Sequence, residues 1–386
     1  MALEAETPSF SEVGPLYAFC LLTSARPPRR FFLAARDNPP YDFPDMNSLS
    51  WGILGTGRIA GVFARNLPQS KTGKLAAVGS RTQLSADRFG AEFGVPRCHG
   101  SYEAVLADPT VQAVYIATPH PMHAEWCIKA AKDGKHILCE KPLTLNHAEA
   151  LTVIDAARRH NVFLLEAFMY RCHPQTLKLV ELIREKSIGE VRIIQASFGF
   201  HREFDPNQRL FSNELGGGGI LDVGCYTVSM SRLIAGVATG KPFAEPTEVN
   251  GCAHLATTRV DLWAIASMKF PGNILAALAT STQVQQENAL RIFGSEGSIF
   301  VSQPWGPARE GGKATIQLER KGKSPEEIVI ESPQPIYAVE ADHVAAYIEK
   351  RQSPSMTWDD SLGNMKALDR WRAAIGVVYQ SEKSRK

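Results

Sequence analysis

The stretch Trp51-Gly52-Ile53-Leu54-Gly55-Thr56-Gly57-Arg58-Ile59-Ala60 decides the fold of this chain. Its first four residues read as a short buried strand, and from Ile59 to Leu67 the apolar positions fall at helical intervals. Between them stands a G-x-G-x-x-[GA] turn. A pyrophosphate needs backbone N–H groups that it can approach closely, and the positive end of a helix dipole. Glycine at the first two marked positions removes the Cβ atoms that would block that approach. A small third residue lets the helix pack tightly on the strand. The motif alone is weak, but a strand before it and a helix after it are the setting it requires. Gly55, Thr56, Gly57, Arg58 and Ile59 are therefore the expected dinucleotide cradle.

A second strand, Lys74 to Gly79, follows about 20 residues after the glycines and ends in Ser80-Arg81-Thr82. NAD sites usually carry Asp or Glu here, accepting from both ribose hydroxyls. A 2′-phosphate is repelled by that carboxylate and attracted by an arginine beside a hydroxyl. No acidic residue stands between Gly73 and Ala86. NADP is thus the expected cofactor, held at Ser80 and Arg81, with NAD the second choice; a solvated surface arginine is the other reading of Arg81.

Working outward, strand and helix patterns alternate from Ser50. A helix Ser85 to Phe93 stops near Gly94, and Val111 to Ala117 is an apolar strand before Thr118-Pro119. Met122 to Lys132 reads as a helix, Ile137 to Cys139 as a buried strand, Asn146 to His160 as a helix and Val162 to Leu165 as a strand. This βαβ rhythm predicts an N-terminal Rossmann-type, doubly wound parallel sheet over 47–168, its ligand crevice at the strands' carboxyl ends. After Leu177 the rhythm changes. Val191 to Phe200, Trp263 to Phe270, Ile274 to Thr280, Leu290 to Phe293 and Ile299 to Ser302 are closely spaced strands. They predict a C-terminal α+β domain over 169–386 with a mostly antiparallel sheet, ending in helices Val339 to Lys350 and Asp360 to Tyr379.

Composition narrows the class of function. The 386 residues are 44% hydrophobic and 21% charged with a net charge of +2, so nothing suggests nucleic acid or a membrane as partner. Seven cysteines without a C-x-x-C pair read as reduced thiols of a cytoplasmic protein, and no metal-ligand spacing stands out. No apolar run approaches the ~20 residues of a membrane helix. The first 46 residues differ: Pro27, Pro28, Pro39, Pro40 and Pro44 break any regular element. Arg29-Arg30-Phe31-Phe32-Leu33 resembles a twin-arginine signal, but Arg36, Asp37 and two prolines follow where an apolar core belongs. A disordered extension, or a start placed too early with Met46 as initiator, is expected for 1–46.

Two constellations can carry chemistry. Glu140-Lys141-Pro142 follows the strand Ile137 to Cys139, where a nicotinamide would lie, and a lysine there can favour the ionised form of a reacting hydroxyl. Pro142 invites a cis bond or a tight turn. The second is Gly216-Gly217-Gly218-Gly219 leading into Ile220-Leu221-Asp222-Val223-Gly224-Cys225-Tyr226. On a helix Asp222 and Tyr226 share a face. A carboxylate and a phenol suit acid–base work on an alcohol or carbonyl. A phenol titrates near 10, so the expectation is that Lys141 lowers the pKa of Tyr226.

Together these motifs resemble the glucose–fructose oxidoreductase / inositol dehydrogenase (Gfo/Idh/MocA) family over roughly residues 50 to 380. The turn Ala117-Thr118-Pro119 with His123, and Glu166-Ala167-Phe168-Met169-Tyr170-Arg171 with His173-Pro174, add to the likeness. Tyr226, where many inositol-type members carry His, is similar to the branch of dimeric dihydrodiol dehydrogenases and NADP-dependent D-xylose dehydrogenases. Position 120, often Asn in the family, is His here. The resemblance implies that Lys141, Asp222 and Tyr226 are catalytic, with Tyr226 exchanging the proton and Asp222 orienting substrate. It also implies Thr118, Pro119, His123 and Glu140 among the cofactor contacts, and a homodimer formed through the C-terminal sheet. Tyr170, Arg171, His201 and Arg209 are candidates for the substrate pocket. The implied activity is hydride transfer between nicotinamide and a carbon of a cyclic sugar, polyol or trans-dihydrodiol. Glycoside cleavage by a tightly held NAD, and non-catalytic metabolite sensing, are the alternatives within the family.

Overall fold

A computed structural model of the chain describes residues 29–32 and 48–383. The extension 1–46 lies outside these residues except for β1 (Arg29–Phe32). The elements then run β2 (Leu49–Leu54), α1 (Arg58–Asn66), β3 (Gly73–Gly79), α2 (Gln83–Phe93), β4 (Arg97–His99), α3 (Tyr102–Ala107), β5 (Ala113–Ile116), α4 (His123–Lys132), β6 (His136–Cys139), α5 (His147–Arg159) and β7 (Leu164–Glu166). Strands β2 to β7 form one parallel sheet in the order β4-β3-β2-β5-β6-β7. The order reverses between β2's two neighbours, β3 and β5, so the glycine turn after β2 sits at the topological switch point. The sheet is buried on both faces, which is why its strands read as apolar runs rather than alternating ones. Trp51, Phe63 and Tyr115 fill its core; the rings of Phe63 and Tyr115 stack at 4.0 Å.

The second half contains α6 (Pro174–Arg184), β8 (Val191–Gly199), α7 (Cys225–Ala238), β9 (Glu248–Leu255), β10 (Asp261–Phe270), β11 (Ile274–Ser281), β12 (Leu290–Gly294), β13 (Gly297–Val301), β14 (Gly312–Arg320), β15 (Glu326–Ser332), α8 (Ile336–Tyr347), α9 (Trp358–Ala374) and α10 (Gln380–Lys383). Its sheet has the order β1-β15-β14-β13-β12-β8-β11-β10-β9 and is mostly antiparallel. The exceptions are β8 beside β11 and β1 beside β15, which run parallel. The expected fold class is thus observed.

Two sequence readings need correction. Residues 220–238 form a continuous helical stretch that is apolar and long enough to cross a membrane, yet it is buried inside the protein. Strands β9, β14 and β15 escaped the sequence reading, because residues such as Glu248, Asn250, Lys313, Gln317 and Glu319 interrupt any apolar run. The C-terminal helices also do more than close the second domain. Asp342 of α8 accepts from Thr72 N at 2.9 Å, and Trp358 of α9 donates to Leu164 O at 3.0 Å, so both return to the Rossmann layer.

Candidate active site

The parallel strands deliver their carboxyl-end turns to one rim. After β2, Gly55 adopts φ 113°, a conformation that side chains rarely take, and a Cβ there would press on Ala117 O at 2.9 Å. Gly57 precedes the first turn of α1, and a Cβ on it would meet no atom within 4 Å. Ala60 is fully buried against the sheet. The cradle therefore leaves open approach to the amino end of α1, as a dinucleotide requires. Ile59, half-buried, packs against the core beneath it. Thr56 Oγ1 lies 3.2 Å from Ser80 Oγ and ties the turn to the end of β3, where Arg81 is exposed.

Lys141 follows β6 and precedes a cis peptide bond to Pro142. Glu140, buried, accepts from the Tyr115 hydroxyl. Burial raises its carboxyl, against the pull of Lys141. His123 is fully buried, with Nδ1 2.9 Å from Pro142 O and Nε2 2.9 Å from Thr118 O. It joins the turn after β5 to the turn after β6. Its ring is therefore a clasp between two cofactor-facing turns, with both nitrogens directed at the main chain. Thr118 is itself buried, and Pro119 opens the short helical turn that leads to α4.

The glycine loop brings the second constellation to the same rim. Gly218 has φ 104°, and a Cβ there would stand 2.3 Å from Asp261 Oδ1, so only glycine fits. Asp222 lies in a wide π-helical turn, Ile220–Gly224, that leads into α7; such turns recur at functional sites. Lys141 Nζ donates to the main-chain oxygen of Asp222 at 2.7 Å and lies 4.0 Å from its Oδ1. Arg209 donates through Nη2 to the same carboxylate at 2.8 Å. Burial opposes ionisation of Asp222, but the charges of Lys141 and Arg209 hold its carboxyl well below the usual carboxylate range.

His120, which the sequence marked only as a departure from its family, touches both the glycine loop and Arg209. Its Nδ1 is 3.0 Å from Gly216 O and its Nε2 is 3.3 Å from Arg209 Nη1. A guanidinium can only donate, so Nε2 accepts and Nδ1–H donates to the carbonyl. Burial, reinforced by Arg209 and His123, keeps this imidazole neutral by lowering its pKa far below 6.5. Position 120 thus holds the glycine loop and the arginine in place.

Tyr226 is buried with Lys141 Nζ 5.1 Å above its ring. Among the described residues its hydroxyl reaches only Met169 Sδ, at 3.6 Å. The expectation that Lys141 lowers its pKa is not met. Burial, with Tyr337 and Glu140 nearby, raises the phenol well above 10. The lysine donates to the Asp222 carbonyl and lies over the ring. Phe168 and Phe198 stand edge-on to this ring at 5.2 Å, and Trp305 at 6.1 Å.

Of the four pocket candidates the structure brings Arg209 to Asp222 and places the Tyr170 ring 5.8 Å from that of Tyr226. Arg171 is buried and paired with Asp360, which also binds Arg232, so it belongs to an internal ion network. Tyr170 is buried and donates to Ser229 Oγ at 2.9 Å. His201 is exposed, 3.7 Å from Glu203. Among the described residues no group of three or more His, Cys, Asp or Glu side chains could hold a metal ion.

Known proteins share this arrangement in outline. Residues 49–168 match the oxidoreductase family described by its NAD-binding Rossmann fold, and residues 176–300 match the GFO/IDH/MocA C-terminal domain. The trans-1,2-dihydrobenzene-1,2-diol dehydrogenase of Mus musculus is 30% identical, over 87% of this chain and 99% of its own. The D-xylose 1-dehydrogenase (NADP(+)) 2 of Haloferax volcanii is 30% identical, over 86% of this chain and 97% of its own. A 3-ketoreductase from Actinomadura kijaniata, solved with NADP and TDP-benzene, has a TM-score of 0.74 at 26% identity, covering 85% of this chain and 98% of that one. Variants of that enzyme at one lysine and at one tyrosine were solved with the same ligands. With both halves matched and relatives aligned along nearly their whole length, this chain belongs to the Gfo/Idh/MocA family of oxidoreductases.

Proposed function

We propose that the chain is an NADP-dependent dehydrogenase acting on a secondary alcohol of a ring-shaped substrate, a trans-dihydrodiol or a cyclic aldose. The observation that carries this reading is the convergence of Lys141, Asp222, Arg209 and Tyr226 at the rim that also bears the glycine turn. The substituted lysine and tyrosine of the Actinomadura kijaniata enzyme, which lie almost as far apart in sequence as Lys141 and Tyr226, support it. Exposed Arg81, with no neighbouring carboxylate, favours NADP over NAD.

When bound, the dinucleotide supplies the hydride acceptor at its nicotinamide. The chain's own residues do the rest. Asp222, kept ionised, accepts a hydrogen bond from a substrate hydroxyl and orients it, while Arg209 fixes that carboxylate. The Lys141 ammonium stabilises negative charge developing on the reacting oxygen. Tyr226 exchanges the proton: the alcohol loses H⁺ and a hydride and becomes a carbonyl. In the reverse direction the phenol gives the proton back. Phe168, Phe198 and Trp305 form an apolar wall suited to one face of a ring and exclude water around the phenol.

A screen at 340 nm with NADP⁺ and NAD⁺ over trans-dihydrodiols, D-xylose, other aldoses and inositols tests the reading. Reduction of NADP⁺ by one of the first two classes is expected. Release of an aglycone from a glycoside without net cofactor turnover, or no turnover of any substrate, would overturn it.

A further inference from the structure

The peptide unit between Gly217 and Gly218 is gripped at both ends. Its N–H donates to Leu210 O at 2.8 Å, and its oxygen accepts from the Tyr379 hydroxyl at 2.7 Å. Tyr379 is fully buried and stands 162 residues further along the chain. A Cβ on Gly217 would lie 2.7 Å from Arg209 O and 2.6 Å from Leu210 O, so the loop rests directly on the main chain that carries Arg209. One residue on, Gly218 O accepts from Asp222 N at 3.2 Å, and the Asp222 carboxylate takes the Arg209 guanidinium. The gripped peptide therefore sits between the two members of that ion pair. At its far end the loop is anchored to the second sheet: Asp261 Oδ2 accepts from Ile220 N at 2.7 Å, and Thr280 Oγ1 donates to Gly219 O at 3.0 Å.

Tyr379 arrives on the segment 377–383, between α9 and the end of α10. The Asn213 amide clasps its backbone, donating from Nδ2 to Val378 O at 3.1 Å and accepting from Gln380 N at 2.8 Å. The Arg372 guanidinium lies 4.8 Å from the Tyr379 ring centroid and donates to both oxygens of Glu382, at 2.9 and 3.0 Å. Glu382 in turn accepts from Tyr379 N at 2.9 Å. It also accepts from Asn146 Nδ2 at 3.1 Å, and Asn146 is the residue that caps α5 in the Rossmann layer. The segment thus ties the glycine loop to the first domain. Four glycines in a row leave the chain the widest choice of conformations, so the one observed is imposed by these partners.

We propose that Tyr379 is a positioning residue for hydride transfer, acting through the glycine loop on Asp222. Its hydroxyl holds the Gly217 carbonyl, the loop keeps Asp222 and Arg209 in register, and Asp222 meets the substrate hydroxyl at a fixed place. This rests on the function proposed above and assigns part of it to a segment remote in sequence from every motif. Without the hydroxyl the carbonyl is left buried with no donor, and the loop relaxes. Displacing an orienting group slows the reaction even where the cofactor's own contacts are untouched.

The test compares wild type with Tyr379→Phe, which keeps the ring and its packing on Arg372. NADP⁺ is the oxidant and trans-1,2-dihydrobenzene-1,2-diol or D-xylose the substrate. The expected result is a kcat about tenfold lower, with NADPH affinity unchanged by fluorescence titration. A merely structural tyrosine would lower the melting temperature and leave kcat of the folded enzyme at the wild-type value; that outcome overturns the proposal. Because the effect passes through Asp222, the same change made in Asp222→Asn and followed in single turnovers should cost less than about twofold. The full tenfold loss in both backgrounds overturns it too. If Tyr379→Phe does not fold, Asn213→Ala decides: it frees the backbone of 378–380 from the loop and should lower kcat with NADPH affinity unchanged, and a wild-type kcat there is fatal. Failure of wild type to oxidise either substrate would instead bring down the functional reading, and this inference with it. An active wild type with an unaffected Tyr379→Phe leaves that reading standing and removes only the inference.

Discussion

The Lys141 ammonium donates to the main-chain oxygen of Asp222 at 2.7 Å, so the turn after β6 and the turn before α7 are joined. The same ammonium lies over the Tyr226 ring, 5.1 Å from its centroid. Tyr226→Phe keeps the ring contacts and removes only the proton carrier. NADPH affinity should survive, while kcat falls by roughly 10²–10⁴, the usual contribution of a positioned acid or base. Because burial holds the phenol pKa well above 10, the acid form persists at neutral pH and beyond. Carbonyl reduction should therefore stay flat to about pH 9, while alcohol oxidation climbs with pH. A reduction rate with a midpoint near pH 7, retained in Tyr226→Phe, would assign the proton to another group.

Arg81 stands exposed at the end of β3, one residue beyond the buried Ser80. Arg81→Ala should weaken NADPH by about 1.5 kcal/mol, the low end for a charge-assisted contact because solvent screens it. NADH should barely change. Calorimetric titration of both nucleotides separates the outcomes: equal losses, or a wild type that prefers NADH, would remove the 2′-phosphate contact.

What the sequence made legible follows from range. The glycine turn, Glu140-Lys141-Pro142 and the Asp222/Tyr226 pair are short motifs whose residues act near their own turns, and the parallel strands are continuous apolar runs. Side-chain direction was not legible. Arg171 and Arg209 looked alike as pocket arginines, yet Arg171 turns inward to Asp360, far along the chain, and Arg209 turns to Asp222. His120 owes its place to a partner on a distant segment, the glycine loop. Strand β9 was missed because, at the sheet's edge, none of its side chains is fully buried and no apolar stripe marks it.

The outer face of the second sheet stays uncovered by the chain's own helices. Ile193, Trp263, Ile265 and Leu275 are 41%, 39%, 57% and 49% exposed there, and Ile265 lines a groove of about 530 Å³. Contiguous apolar surface of this kind marks an interaction site. A homodimer through this face is expected, so light scattering at micromolar concentration should return about twice the 42.3 kDa chain mass. Ile265→Lys should return the single-chain mass with the fold intact. Wild type already at the single-chain mass would refute the dimer.

His123 offers a pH test of the clasp between the two cofactor-facing turns. Burial outweighs its two carbonyl contacts and pushes its pKa down to about 4, against an ordinary 6.5. The folded value lies below the unfolded one, so proton uptake favours the unfolded chain. Its contribution is intact above pH 6.5 and is lost as pH falls toward 4, at about 1.4 kcal/mol per unit. Glu166 and Asp261, each raised to about 7 by burial, act with the opposite sign: their contribution is present at low pH and lost as pH rises through 7. The whole-protein curve therefore mixes both slopes, and the clean signal is the difference from His123→Gln, which cannot titrate. Between pH 6.5 and 5 the stability of wild type relative to His123→Gln should fall by about 1.6 kcal/mol. Urea unfolding of the two proteins at both pH values measures it. A difference independent of pH would mean that the imidazole keeps the same pKa folded and unfolded, and that burial does not govern this site.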